Sequence, residues 1–147
     1  MTEYKIFTIG FTKKSAESFF GKLKKAGVKK IIDVRLNNKS QLAAFTKKDD
    51  LIYFLDKLLG IKYRHEPLLA PAKEILNAYK KKEIGWPEYK KRFLKLLKER
   101  KAQNLIDIDE LDGSCFLCSE AEPDNCHRRL VAEYMKKYHK GIVISHL

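Results

Sequence analysis

Most of the side chains that could carry chemistry are gathered near the C-terminal end of the sequence. The three cysteines, Cys115, Cys118 and Cys126, lie within one short segment, and His127 and Arg128 follow the last of them directly. Thiolates and imidazoles bind soft metal ions, thiolates also act as nucleophiles, and guanidinium groups bind anions. The segment is therefore a candidate metal site, a candidate nucleophile or a candidate anion pocket.

A four-ligand zinc site is the first of these candidates. Cys115, Cys118, Cys126 and His127 offer three sulfurs and an imidazole, the right number and types of ligand for a structural ion. However, Cys115 and Cys118 lie on a predicted strand at an odd spacing, so their side chains should point to opposite faces of the sheet. This argues against the four-ligand site and leaves open a smaller one made of Cys118, Cys126 and His127. We expect no bound metal and no other cofactor.

The same segment predicts the beginning of the last helix, with Cys126, His127 and Arg128 in its first turn. Free backbone N–H groups and the positive end of the helix dipole favour thiolates and bound anions at such a position. We therefore interpret Cys118 and Cys126 as candidate nucleophiles, and Glu120 and His127 as candidates for proton transfer. Two alternatives stay open: that Cys126 packs in the core, and that Glu120 only fixes an arginine.

Alternating strands and helices would position this segment. Short apolar runs predict strands at 4–10, 29–35, 61–66, 113–120 and 141–147, and amphipathic runs predict helices at 15–27, 46–60, 71–82, 87–103 and 125–141. Ser15, Thr46 and either Asp124 or Asn125 are predicted N-caps, and Gly27 and Gly60 are predicted helix ends. The pattern indicates a single α/β domain over residues 1–147, with three layers, a mainly parallel sheet of about five strands, and helices on both faces.

In an open parallel sheet, ligands bind beyond the carboxyl ends of the strands. The predicted strand ends carry Thr12, Asp33, Arg35 and Glu120, and the last three follow apolar runs directly, so we expect them to face one another. Together with Arg128 from the last helix, these residues predict a pocket that binds an anion at the carboxyl edge of the sheet.

The charge of the chain also points to anionic partners. There are 31 basic and 19 acidic residues, which gives a formal net charge of +12 and would attract nucleic acid or phosphorylated ligands. Most of the positive residues are lysines in short runs, and several of these runs lie late in predicted helices, where they also serve as a solvated surface. An anionic small molecule and a nucleic acid therefore both remain candidate partners.

The sequence contains no sign of a membrane or secreted protein. No apolar run approaches the roughly 18 residues that span a bilayer, and the first residues, MTEYKIFTIGF, have a charged strand pattern instead of the apolar segment of a signal peptide. Three cysteines do not form a disulfide framework. We expect a cytoplasmic protein with reduced thiols and no membrane partner.

The segments TIGFT, DVRLNNKSQLAAF, GIKYRHEPLLA, FLCSEAEPDNCHRRLVAEYM and VISHL resemble the family catalogued as domain of unknown function four-eighty-eight. The family signature C-x-E-x-x-P-x-x-C-H-R is matched in order by Cys118, Glu120, Pro123, Cys126, His127 and Arg128. The resemblance also implies a serine after the D-V-R segment, here Ser40, as an anion-binding residue. Asn38 stands where the family often has proline, and Leu68, Leu69 and Ala70 stand where it has L-G-G. The resemblance implies the position of a site and no established reaction.

These observations lead to two functional hypotheses. The first is an enzyme that acts on an anionic substrate, phosphorylated, nucleotide or nucleic acid, through a Cys/Glu/His/Arg pocket at the carboxyl edge of the sheet. The second is a nucleic-acid-binding or regulatory module in which the Cys-His-Arg cluster is structural. The sequence leaves open whether the protein is an enzyme.

Overall fold

A parallel sheet forms the centre of the fold. The computed structural model describes residues 3–38, 44–119 and 126–147. The strands are β1 (Tyr4–Gly10), β2 (Lys30–Asp33), β3 (Lys62–His65), β4 (Ser114–Cys118) and β5 (Ile142–His146), and they pair in parallel in the order β3-β2-β4-β1-β5. The helices are α1 (Ala16–Ala26), α2 (Lys48–Phe54), α3 (Lys73–Lys80), α4 (Trp86–Glu99), α5 (Ile108–Leu111) and α6 (His127–Tyr138). A π-helical turn at Leu55–Leu59 continues α2, and 3-10 turns lie at Ala44–Thr46, Pro67–Leu69 and Ala102–Asn104. The predicted α/β class with a five-stranded parallel sheet is confirmed.

The strand order explains why helices cover both faces of the sheet. The chain moves in one direction across the sheet from β1 to β2 and β3, and in the opposite direction from β3 to β4 and β5. Because crossovers between parallel strands are right-handed, the two directions place their helices on opposite faces. Thus α1 and α2 pack on one face and α3, α4 and α6 on the other.

The central strand β4 contributes to both layers of the core. All five of its residues are buried, and their side chains alternate between the faces. Cys115 and Leu117 pack in the layer under α1 and α2, whereas Phe116 and Cys118 pack in the layer under α4 and α6. The prediction that Cys115 and Cys118 point to opposite faces is confirmed.

Local signals fix several helix ends. Ser15 Oγ accepts a hydrogen bond from the backbone N–H of Ser18 at 3.1 Å, and Gly27 and Gly60 adopt the left-handed conformation that ends a helix (φ 73° and 65°). The predicted N-cap at Thr46 is wrong, because α2 begins after Lys47 and Thr46 is buried in the preceding 3-10 turn.

The last helix begins one residue later than expected. Its N-cap is Cys126, so His127 and Arg128 are its first two residues. The predicted caps Asp124 and Asn125 lie outside the described residues. No helix in the described ranges is long and apolar enough to cross a membrane.

Candidate functional site

The carboxyl end of β4 meets the beginning of α6, and this contact brings two cysteines together. Cys118 ends the strand, Cys126 caps the helix, and their sulfurs are joined as a disulfide with a Cα–Cα distance of 7.7 Å. This pairing differs from the expectation of reduced thiols, which rested on the odd number of cysteines, the charged first residues and the reducing interior of a cell. Cys115 is a free thiol in the other core layer, and burial raises its pKa.

Arg128 lies directly behind this cysteine pair. Its side chain is fully buried, its Nε donates to Thr8 Oγ1 at 3.3 Å, and its Nη1 lies 3.6 Å from Cys118 Sγ. Thr8 Oγ1 is also 2.5 Å from Nδ1 of His146, at the end of β5. A buried guanidinium therefore sits between the ends of β1 and β4 and places positive charge beside a cysteine sulfur.

His127 links the same helix to β2. Its Nε2 donates to the carbonyl oxygen of Val34 at 2.6 Å, and its ring contacts Phe93 edge-on at 5.8 Å between centroids. Burial, and to a smaller extent the charge of Arg128, lower the pKa of His127 to about 4, against the opposing effects of Val34 and Asp33. The imidazole is therefore neutral at pH 7, with its proton on Nε2 and a lone pair on Nδ1.

Asp33 and Arg35 form a buried ion pair at the end of β2. Nε and Nη2 of Arg35 donate to the two carboxylate oxygens, each at 2.8 Å, and Nη2 also donates to the Thr46 carbonyl oxygen at 2.8 Å. Tyr63 Oη donates to Asp33 at 2.5 Å, and Asn38 Nδ2 contacts both Asp33 and Tyr63, at 3.3 and 2.9 Å. Burial alone would raise the pKa of Asp33, but the hydrogen bonds and charge of Arg35, with Tyr63, lower it overall. Asp33 is thus ionised and positions Arg35.

One nitrogen of Arg35, Nη1, makes no contact of the kind that holds Nε and Nη2 among the residues that the structure describes. The side chain is only 3% exposed, its guanidinium lies 5.6 Å from the ring centroid of Phe11, and Nη1 is buried with no hydrogen-bond partner in the described ranges. Buried charged donors normally have acceptors. This atom therefore indicates a place for an acceptor that the described residues do not supply.

Val34 joins the two clusters. Its backbone N–H donates to the Leu117 carbonyl oxygen at 3.1 Å, and its own carbonyl oxygen accepts from His127. Leu117 precedes Cys118, and His127 follows Cys126. Val34, the residue before Arg35, therefore contacts the chain neighbours of both Cys118 and Cys126. These contacts connect the Asp33–Arg35 pair to the cysteine pair at the carboxyl edge of the sheet.

Six of the predicted site residues lie at the carboxyl edge of the sheet. Asp33, Arg35, Cys118, Cys126, His127 and Arg128 are brought to this edge, as the parallel-sheet argument requires. Thr12 is exposed, and its hydroxyl and N–H both donate to the Ser119 carbonyl oxygen, so it fixes the end of β4. Ser40 and Glu120 lie outside the described residues.

Sequence reasoning missed several partners. Tyr63 and Asn38 hold Asp33, Thr8 holds Arg128, and Nε2 of His65 contacts the Arg35 carbonyl oxygen at 2.8 Å. The sequence did mark Asn38 as unusual, because it stands where the family that the chain resembles often has proline. The other contacts join distant parts of the chain and have no local signature.

Comparison with known proteins gives one finding. The sequence profile of a family described as "Domain of unknown function DUF488" matches residues 15–135, which covers most of the chain and includes Asp33, Arg35, both paired cysteines, His127 and Arg128. No curated protein and no solved structure matches it.

Proposed function

The chain belongs to the DUF488 family, and we propose that it is an enzyme acting on an anionic substrate at the carboxyl edge of its sheet. The observation that carries the proposal is Nη1 of Arg35, a buried donor without a partner among the described residues. An unsatisfied buried donor costs about 1–3 kcal/mol, and more when it is charged. An anionic oxygen of a substrate would remove that cost.

The surroundings of Arg35 favour an oriented anion contact. Asp33 and the Thr46 carbonyl hold Nε and Nη2, so the guanidinium cannot rotate and Nη1 keeps one direction. Because Asp33 neutralises the charge of Arg35, additional attraction must come from elsewhere. The N-terminal end of α6, which His127 joins to the carbonyl oxygen of Val34 beside Arg35, is the positive group that supplies it.

The chemistry is assigned to Cys118, Cys126 and His127, which have a ligand or reactive atom each within 4.8 Å of one another. His127 is neutral and offers Nδ1 as a proton acceptor. Activity requires the reduced state of the two cysteines, since a disulfide offers no thiolate. Glu120 and Ser40 keep the roles that the sequence suggests, proton transfer and anion contact.

Thermal unfolding in phosphate tests the anion site. The melting temperature should rise with phosphate concentration at constant ionic strength; at ten times the Kd the gain is about 1.4 kcal/mol, or roughly 3–5 °C. Arg35→Lys keeps a cation beside Asp33 but has no nitrogen in the place of Nη1. This variant should therefore lose most of the increase in melting temperature. Arg92→Lys, the same change at an exposed pair with Glu88, is the control and should keep it. An equal rise in all three proteins would exclude Arg35 as the anion-binding residue.

Turnover is tested separately. Reduced protein is incubated with phosphate monoesters, nucleotides and short oligonucleotides, and substrate loss is followed by chromatography. At least one compound should be consumed, and Cys118→Ser and Arg35→Lys should consume it at least tenfold more slowly. Failure of the whole panel under reducing conditions would count against an enzyme.

A groove between α4 and α6 favours a second candidate, binding of nucleic acid. Its volume is about 450 Å³, and lysines and tyrosines line much of it: Lys90, Lys95, Lys98, Lys137, Tyr134 and Tyr138. Lysines bind phosphates, and the exposed ring of Tyr138 can stack on a base, whereas Tyr134 is buried. Affinity for a single-stranded oligonucleotide should then fall steeply as the salt concentration rises. The double variant Lys95→Gln/Lys98→Gln should show a weaker dependence of affinity on salt. Binding that does not change with salt would eliminate this candidate.

A further inference from the structure

We infer that Cys118, Cys126 and His127 bind a divalent metal ion of the zinc class when the two cysteines are reduced. The two sulfurs and a ring nitrogen lie within 4.8 Å of one another. Two thiolates and one imidazole are donors that zinc prefers. The end of β4 supplies one ligand and the beginning of α6 supplies the other two.

The hydrogen bond of His127 prepares its ring for a metal. A carbonyl oxygen only accepts, so the contact with Val34 fixes the proton on Nε2 and leaves the lone pair on Nδ1. Metal-bound histidines usually donate their second nitrogen to a carbonyl or carboxylate in this way. Among the described residues Nδ1 has no hydrogen-bond partner.

The cysteines also have surroundings that suit a metal thiolate. Nη1 of Arg128 lies 3.6 Å from Cys118 Sγ, where an N–H donor stabilises the deprotonated sulfur. The Cα–Cα distance of 7.7 Å is longer than the roughly 4.4–6.8 Å of ordinary disulfides. Zinc holds two thiolates about 3.8 Å apart, because each Zn–S bond is about 2.3 Å in a tetrahedral site. The backbone spacing therefore suits two sulfurs that share an ion.

An open coordination position suits the proposed substrate, and this part of the inference rests on the proposed function. Two thiolates balance a divalent ion, and the buried guanidinium of Arg128 lies beside one of the two sulfurs. Three protein ligands leave the fourth tetrahedral position for water or a substrate oxygen. The chemistry would then be that of a metal-bound oxygen instead of a free thiolate.

Cobalt(II) is the probe, because cobalt–thiolate bonds absorb in the near ultraviolet and tetrahedral cobalt absorbs strongly in the visible. Reduced, chelator-treated full-length protein is titrated anaerobically. Both bands should saturate at about one equivalent, and zinc should abolish them. Cys118→Ser and Cys126→Ser should lose most of the near-ultraviolet band, and His127→Gln should weaken cobalt binding at least tenfold. Cys115→Ala is the matched control, since Cys115 lies in the other core layer, and it should bind cobalt like the parent.

Circular dichroism confirms that each variant is folded. The absence of a cobalt–thiolate band in the parent would overturn the inference, as would an unchanged band in both serine variants. The phosphate titration separates the two proposals. A parent that responds to phosphate but binds no cobalt has an anion site without the metal, and one that binds cobalt without any phosphate response has the metal without the proposed substrate site.

Discussion

Truncating Arg35 to alanine should strongly destabilise the protein, because it leaves the carboxylate of Asp33 buried without its main partner. Asp33 is fully buried and Arg35 is 3% exposed, and they share two hydrogen bonds of 2.8 Å. Removing one member of a buried pair costs about 3–5 kcal/mol. Since Tyr63, Asn38 and a backbone N–H still donate to Asp33, we expect the lower end, about 3 kcal/mol. The melting temperature should fall by roughly 10 °C.

Urea unfolding of the parent, Arg35→Ala, Asp33→Asn and the double variant measures this loss. The sum of the two single-variant losses in unfolding free energy should exceed the loss in the double variant by about 1–3 kcal/mol, because Asp33 and Arg35 are in direct contact. Arg92→Ala, which breaks an exposed pair with Glu88, should cost under about 1 kcal/mol. If Arg35→Ala costs no more than Arg92→Ala, or if the losses of the two single variants add up to that of the double variant, the buried pair does not stabilise the fold.

Two further predictions concern ionisation and thiol reactivity. The pKa of Asp33 is lowered on folding, so its contribution is complete above its unfolded pKa, near 3.8, and is lost as the pH falls through the folded value. The free energy of unfolding should therefore fall less steeply below about pH 4 in Asp33→Asn than in the control Asp49→Asn; parallel acid slopes would contradict the lowered pKa. Because burial raises the pKa of Cys115, iodoacetamide should label Cys118 and Cys126 of the reduced native protein first, as mass spectrometry can show, and zinc should protect both. Labelling of Cys115 at the same rate would show that its layer of the core is open.

Patterns with a fixed period were the ones that the sequence could resolve. The twofold alternation along β4 separates Cys115 from Cys118, and the parallel strands bring Asp33, Cys118 and Arg128 to one edge. Local chemistry at Ser15 and Gly27 was equally readable, because a cap depends on neighbours in the chain.

Contacts between distant segments could not be read in this way. Tyr63 reaches Asp33 across 30 positions, and Thr8 reaches Arg128 across 120. The close approach of Cys118 and Cys126 depends on the angle at which α6 meets the sheet, which no local pattern specifies. The odd number of cysteines did not predict the pairing either, because two of them can pair while Cys115 stays free.

The position of β4 between β1 and β2 also governs when the sheet can form during synthesis. A nascent chain that has emerged through β3 has β2 and β3 to pair, but β1 lacks β4 on one side and β5 on the other. Apolar strands with unpaired edges associate with other chains, and non-local pairing is slow. Residues 66–113 must therefore be translated while those edges remain open. A ribosome that stalls within this interval would hold the chain with these strand edges unpaired. We expect chaperones to bind the nascent chain at this stage, because unpaired edges favour aggregation.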